Sequence, residues 1–468
     1  MNIKFNVKQF VLAPLVLAIV IFLWFVPTSF FGISGLTIIQ QRTIAIFCYA
    51  ALMWMFEIIP AWATSVSTIV FLLLAVSKKG FATPDMGDLV GHRDIMASFA
   101  DPIIMLFLGG FVLAIAASKV GLDVYLARGM LKPFGTKPKF VLLGFLIVIG
   151  TMSMFMSNTA TAAMMLAFLA PVLKTLPANG GGRISLAMAI PIAANIGGMG
   201  TPIGTPPNAI AIGQLSQMDI HIGFGAWMIR MVPVVIIMII IAWLLLMKLF
   251  PFKAKSIEIH IDGECKKDWK FWTVTITFIL TILLWMTGEL THLDSNVVAL
   301  IPFAVFALTG IFKKDDFAKV DWHVLWMVAG GFALGTCLNK TGLAQVLVES
   351  IPFGEWSAIV VLIIAGLLGY LLSNFIANSS AANLLVPILA VVGNAMADNL
   401  APFGGVATLL VCVATSTSFA MLFPISTPPN AIASSTGLIS THDMTKVGLI
   451  VGVIGLCVSY AVLLLFPF

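Results

Sequence analysis

From Asn399 to Thr441 the chain carries no Asp, Glu, Lys, Arg or His, and the same holds from Phe140 to Leu173 and from Trp356 to Ala397. Stretches this long without charge cannot cover a water-facing surface, which needs roughly a quarter of its residues charged. The whole chain is 60% hydrophobic and 10% charged over 468 residues. Apolar runs of about 20 residues recur, each long enough for a ~30 Å hydrocarbon core. The fold class expected is an all-α polytopic membrane protein.

Within lipid every backbone N–H and C=O needs a partner, so irregular backbone survives only beside protein or a wet cavity. Yet "GTPPNAI" (Gly204–Ile210) and "STPPNAI" (Ser426–Ile432) each set a double proline inside an apolar run. Pro206 and Pro207 remove two N–H donors, so the carbonyls of Pro202 and Ile203 lose their helical partners. Thr205 suits an N-cap and Pro206 the first helical position; Thr427 and Pro428 read the same way. Each motif is expected to end one half-helix with free carbonyls and to begin another with free N–H groups. Carbonyl ends favour cations and N–H ends favour anions.

The motifs belong to an internal duplication. "LGGFVLAIAASKVGL" (Leu108–Leu122) is matched by "AGGFALGTCLNKTGL" (Ala329–Leu343), and "SNTATAAMML" from Ser157 by "ANSSAANLLV" from Ala377. The three landmarks keep one order and nearly one separation, a little under half the chain. The reading is residues 1–41 for the N-terminus and first span (11–31), repeat 1 over 42–250, a cytoplasmic linker over 251–270 and repeat 2 over 271–468. Repeat 1 holds spans 42–59, 61–77, 101–118 and 225–250, with broken helix 184–217. Repeat 2 holds spans 271–288, 297–312, 323–338 and 447–467, with broken helix 404–437. Segments 140–173 and 357–394 are expected as re-entrant hairpins, because their tips (Ser157-Asn158-Thr159 and Asn378-Ser379-Ser380) lack charge, Gly and Pro. The spans number about eleven, plus the two hairpins. An odd number of crossings separates the Gly-Gly-Phe helices, so the second copy is inverted, as in many secondary transporters.

Most of the 25 lysines and arginines then fall on the side of the N-terminus, which places it in the cytoplasm and the protein in the cell (inner) membrane. The net charge of +5 reports this topology and not nucleic-acid binding. The stretch from Lys78 to Phe99 is too polar to span. The five cysteines, Cys48, Cys265, Cys337, Cys412 and Cys457, are expected as free thiols.

Two tips and two breaks converge on a midplane site of hydroxyls, amides and helix N-termini, without lysine or arginine. Such a site favours an anion with several oxygens. A bare dianion there faces a desolvation cost of roughly several kcal/mol per charge. Cations on the neighbouring carbonyls would offset it, and oxygen ligands suit a hard cation such as Na⁺. A near-symmetric site suits a near-symmetric ligand, one carboxylate toward each half.

On these motifs the chain resembles the divalent anion:sodium symporter family of dicarboxylate, citrate and sulfate transporters, over nearly its whole length. The resemblance implies a homodimer held by a scaffold domain and an elevator movement of a transport domain, with Na⁺ as coupling ion. It implies one sodium site at Ser153, Ser157, Asn158 and the Gly204 carbonyl, and another at Ser373, Ile376, Asn378 and the Ser426 carbonyl. Substrate contacts would be Ser157, Asn158, Thr159 and Thr205, with Asn378, Ser379, Thr427 and Pro428 opposite. Where the family has a second Ser-Asn-Thr, this chain has Ala377-Asn378-Ser379; Ser380 is the candidate replacement for the lost hydroxyl.

The expected function is sodium-coupled import of C4-dicarboxylates such as succinate. The alternatives are a sodium-independent dicarboxylate or citrate exchanger, or a sulfate transporter, of the same fold. A cation:proton antiporter would want an acidic residue at the crossing, an enzyme a charged or His/Cys constellation, and a channel an open path. Glu57 and Glu289 are read as caps at span ends, Asp101 and Asp321 as N-terminal caps of the Gly-Gly-Phe helices, and Arg230 as snorkelling to the interface.

Overall fold

The computed structural model describes residues 7–177, 180–257, 266–350 and 356–468. Lys4, Cys265 and the middle of the linker lie outside the described residues. Among those described, the chain is helical, and one isolated bridge, Ser77 to Val90, is the only β-type pairing. That bridge folds the polar stretch after Lys78 back onto the end of helix Ala61–Ala75.

Among the described residues, six helices are long and apolar enough to cross a membrane, or seven if the pair Ala397–Phe403 and Gly405–Ser418, bent by 71°, counts as one. Several of the expected eleven form shorter apolar helices, such as Ala61–Ala75 and Ser295–Leu308, and the broken helices divide at their prolines. The hairpin arms are Pro138–Ser153 with Asn158–Thr175, and Ala358–Ser373 with Asn378–Ala395. At 1.5 Å per residue they reach about 24–27 Å, and Asn378–Ala395 is one of the six helices above.

The two halves interlock. The first Gly-Gly-Phe helix, Pro102–Lys119, packs on Ser295–Leu308 of the second half. The second, Trp322–Lys340, packs on Ala61–Ala75 of the first. The glycines make this approach possible. A Cβ on Gly109 would overlap the Ala299 carbonyl oxygen, and one on Gly330 would overlap Ser65, whose hydroxyl donates to the Met327 carbonyl at 3.2 Å. Small residues at such crossings are the usual means of packing helices in lipid.

Each hairpin also packs on the broken helix of its own half, and each helix after a break packs on the hairpin of the other half. Pro206–Ser216 meets Asn378–Ala395, and Pro428–Ser434 meets Asn158–Thr175. The four special segments are thereby drawn to one place.

Two charged groups make structural contacts. Arg230 does not snorkel freely: it donates to the carbonyls of Ala226, Phe466 and Pro467 and lies over the Phe468 ring, clamping the C-terminus. Asp316, buried in the 3₁₀ turn Lys314–Lys319, joins Lys119 at the end of the first Gly-Gly-Phe helix to Lys319. Burial alone would raise its carboxyl, but hydrogen bonds from Lys119, the Lys313 N–H and Lys319 hold it well below the usual range. Such bonds to a charged group contribute ~1.5–3 kcal/mol. Asp316→Asn should cost about 2 kcal/mol near neutral pH. Because the folded value is depressed, that advantage exists above the unfolded carboxyl value and fades as pH falls below about 4. Thermal unfolding of wild type and Asp316→Asn across pH checks this; a gap that widens on acidification contradicts it.

The four described cysteines are free thiols.

Candidate functional site

Each hairpin tip is a helix end followed at once by a helix start. Ser157 takes extended backbone (φ −55, ψ 131) before the second arm, and Ala377 does the same (φ −60, ψ 140). Neither caps its helix with a side chain. Behind the first tip, Ser153 Oγ lies 2.5 Å from Asn158 Oδ1 and 2.8 Å from the Ala194 carbonyl. Behind the second, Ser373 Oγ lies 2.8 Å from Asn378 Oδ1 and 2.9 Å from the Thr417 carbonyl. A hydroxyl has one hydrogen to share between two acceptors. Each cluster is therefore richer in oxygen than in protons, the condition a hard cation satisfies. The Gly204 carbonyl belongs to the first: a Cβ on Gly198 would stand 2.7 Å from Asn158 Oδ1 and 2.9 Å from that oxygen.

The breaks are braced from within. Asn208 Nδ2 donates to the Gly198 and Thr201 carbonyls at 3.2 and 2.8 Å, and Asn430 Nδ2 to those of Met421 and Phe423 at 2.9 and 3.0 Å. The motif asparagines thus hold the irregular loops in shape. The N-terminal ends of the half-helices offer fewer donors than the sequence suggests. Pro206 and Pro207 carry no N–H, and the Asn208 N–H turns back to the Thr205 carbonyl at 3.2 Å. The second break does likewise through Asn430 N–H, which donates to Thr427 Oγ1 at 3.3 Å. Thr205 sits at the N-cap position without making a capping bond, so its hydroxyl is not committed to its own helix.

A cavity of about 290 Å³ lies between these segments. All the substrate residues named from sequence line it: Ser157, Asn158, Thr159 and Thr205 from the first half, Asn378, Ser379, Thr427 and Pro428 from the second. Gly204 and Ser426 line it too, whereas Ser153 and Ser373 are fully buried behind the tips and Ile376 is buried beside them. The facing wall is largely apolar, built by Phe107, Phe111, Val324 and Met327, with Asp321 and His323 beside them. A wider space of about 670 Å³ adjoins, shares Ser157, Thr159, Asp321 and His323 with the cavity, and adds Lys119 and Lys319.

Several residues differ from expectation. Ser380 does not replace the missing hydroxyl of Ala377; it points into the core, and its Oγ has no hydrogen-bond partner. Asp101 caps its helix through the Ile103 N–H at 2.9 Å, but Asp321 makes no capping bond and lines the cavity instead. Glu57, in the left-handed region at φ 47, reaches across to the Ala377 N–H at 3.2 Å. It stands at the C-cap of its own helix Ile38–Phe56, as expected at a span end, and its carboxylate also caps the second tip of the other half. Glu289 lies exposed in the short turn Gly288–Thr291.

Asn195 was not singled out from sequence. It lines the cavity, and its Nδ2 donates to Thr427 Oγ1 at 3.1 Å and Asn430 Oδ1 at 3.2 Å, tying the first broken helix to the second. A lone amide in the apolar run "IPIAANIGG" was the available signal. Asn195→Ala should raise the half-saturating anion concentration about tenfold, since one or two hydrogen bonds of about 1 kcal/mol hold Thr427 in place. Binding titrations check this, and an unchanged affinity would contradict it.

A bundle of apolar helices, broken at matched points around an internal cavity with polar tips on one side, is the architecture of a membrane transporter. The chain belongs to the citrate transporter family, which matches residues 51–410. It is 30% identical, over 98% of its length and 91% of the relative's, to the sodium-dependent dicarboxylate transporter SdcS of Staphylococcus saprophyticus. The protein of that name from Staphylococcus aureus (strain MW2) is 31% identical over 88% of this chain and 83% of its own. In fold, the chain is similar to the Alcanivorax borkumensis YdaH transporter, with a TM-score of 0.56 at 12% identity over 91% of this chain and 98% of that one. The resemblance to divalent anion:sodium symporters therefore stands, and the chain is a secondary transporter of the dicarboxylate and citrate family.

Proposed function

We propose that the protein imports a C4-dicarboxylate such as succinate, coupled to Na⁺. One carboxylate sits on the first tip with Thr205, the other on the second tip with Thr427 and Pro428. One sodium ion takes Ser153, Ser157, Asn158 and the Gly204 carbonyl; another takes Ser373, Ile376, Asn378 and the Ser426 carbonyl. The observation that carries this reading is the pair of matched Ser–Asn–carbonyl oxygen clusters, one behind each tip of a single cavity. Cations there offset the charge of a dianion that meets no lysine or arginine on the wall.

The names of the staphylococcal relatives support both the dicarboxylate and the sodium. The polar tips facing a largely apolar wall support an elevator movement, in which hairpins and broken helices carry the anion past the Gly-Gly-Phe helices. A homodimer in the inner membrane with a cytoplasmic N-terminus completes the reading, with the repeats inverted and the hairpins re-entrant.

A second reading, a sodium-independent exchanger, is favoured by Ala377 and by the Glu57 carboxylate on its N–H. Uptake of labelled succinate into proteoliposomes separates them. Uptake driven by inward Na⁺ and not by K⁺ supports the symporter. Uptake that needs internal succinate and ignores Na⁺ supports the exchanger, and none at all removes the dicarboxylate.

A further inference from the structure

The ionisable side chains on the wall of the anion cavity, among the described residues, are Asp321 and His323. They stand two positions apart at the start of helix Trp322–Lys340, and both also line the wider adjoining space. Asp321 has no structural employment at its N-cap position, unlike Asp101 at the matching place in the first half. A carboxylate left free on the wall of an anion site repels the ligand that the site is built to hold. The cost is removed when a proton resides on the carboxylate or on the imidazole beside it.

We infer that Asp321 and His323 hold a proton on the wall of the anion cavity, so that binding the anion draws a proton into the protein. The inference rests on the anion-transport reading above. The histidine is exposed toward the wider space, so the proton can exchange with water. By linkage, whatever factor the proton adds to anion affinity, the anion adds to proton affinity.

Most of the other charges around this helix are committed elsewhere. Lys119 and Lys319, on the wall of the wider space, share Asp316. Lys340, at the far end of the helix, pairs with Asp94 at 2.9 Å. On the remaining neighbours, Arg42 donates to the Ala75 carbonyl, Asp101 caps its own helix, Glu57 accepts from the Ala377 N–H and Glu349 accepts from Gln345, while His92 and Arg93 stand on the packed helix His92–Ala97. None of these pairs with Asp321 or His323, which leaves the two as the proton-holding pair.

The test is isothermal titration of the purified, detergent-solubilised protein with fumarate in saturating Na⁺, from about pH 7 to 8.5, in Hepes and in Tris. Fumarate stays fully ionised across this range, so any proton taken up enters the protein. The expected result is a binding heat that differs between the two buffers, in the sense of proton uptake. Affinity should fall with rising pH, by at most about tenfold per pH unit. Asp321→Asn, which cannot be charged, should bind fumarate more tightly at the alkaline end and lose most of the pH dependence. His323→Gln should lower the uptake. Equal heats in both buffers with a flat affinity would overturn the inference while leaving the transport reading intact. Undiminished proton uptake in both variants would overturn it as well. Absence of fumarate binding at every pH would overturn the transport reading and this inference together.

Discussion

Asn158→Ala is expected to lower sodium-driven dicarboxylate uptake roughly 100-fold or more, and to raise the Na⁺ concentration needed for half-maximal binding. Asn158 Oδ1 lies 2.5 Å from Ser153 Oγ, and the side chain also lines the anion cavity. In the proposed reading one residue serves both the cation cluster and the anion. A hydrogen bond or ligand contact to a charged group is worth ~1.5–3 kcal/mol, and each 1.4 kcal/mol is about tenfold. Losing one on each side gives the expected factor. The alanine leaves the Ala194 carbonyl as the remaining acceptor for Ser153, so the helix ends stay satisfied and the protein should still fold. Equal loss of anion affinity at all Na⁺ concentrations would contradict the shared role, because the cation would then be indifferent to this residue.

Gly109→Leu should have the largest effect on folding. The first Gly-Gly-Phe helix touches the second half at this point, where even a Cβ would overlap the Ala299 carbonyl oxygen. Backbone cannot swing aside as a long side chain can. Overpacking a well-packed site costs typically 1–3 kcal/mol, and a leucine against main chain belongs at or above the top of that range. Because this contact holds one half to the other, the expected outcome is loss of monodisperse protein on size exclusion and a large drop in Tm. Gly129, with nothing within 4 Å of its Cβ position, is the matched control: Gly129→Ala should leave both unchanged. Similar behaviour of the two variants would contradict the account of the interlock.

What could be read from sequence was whatever a short stretch of chain decides locally. Prolines at 206, 207, 428 and 429 cannot donate, so the breaks lie where the sequence puts them. Uncharged tips between apolar arms mark the turns at Ser157 and Ala377, and the residues around both tips and breaks do meet at one cavity. The contacts that escaped are those that helix packing decides. Asn195 reaches Thr427 and Glu57 reaches Ala377 across hundreds of residues, and no local pattern announces either partner. Asp321 looked like a cap because Asp before a helix usually is one; in the second half the helix enters beside the cavity and the carboxylate faces that instead. The span count also differs because several expected spans, such as 61–77 and 297–312, form helices shorter than the apolar runs that suggested them.

The central claim is that one anion engages both halves at a single cavity, with cations beside it. Thiol protection tests it most directly. Ile203→Cys and Ala377→Cys each place a thiol on the cavity wall, one from each half, in a background with the exposed Cys457 removed. The account predicts that succinate with Na⁺ slows alkylation of both thiols, at the same half-protecting concentration, and that K⁺ in place of Na⁺ abolishes the protection of both. Protection of one thiol alone, or of the two at clearly different concentrations, would contradict a shared site.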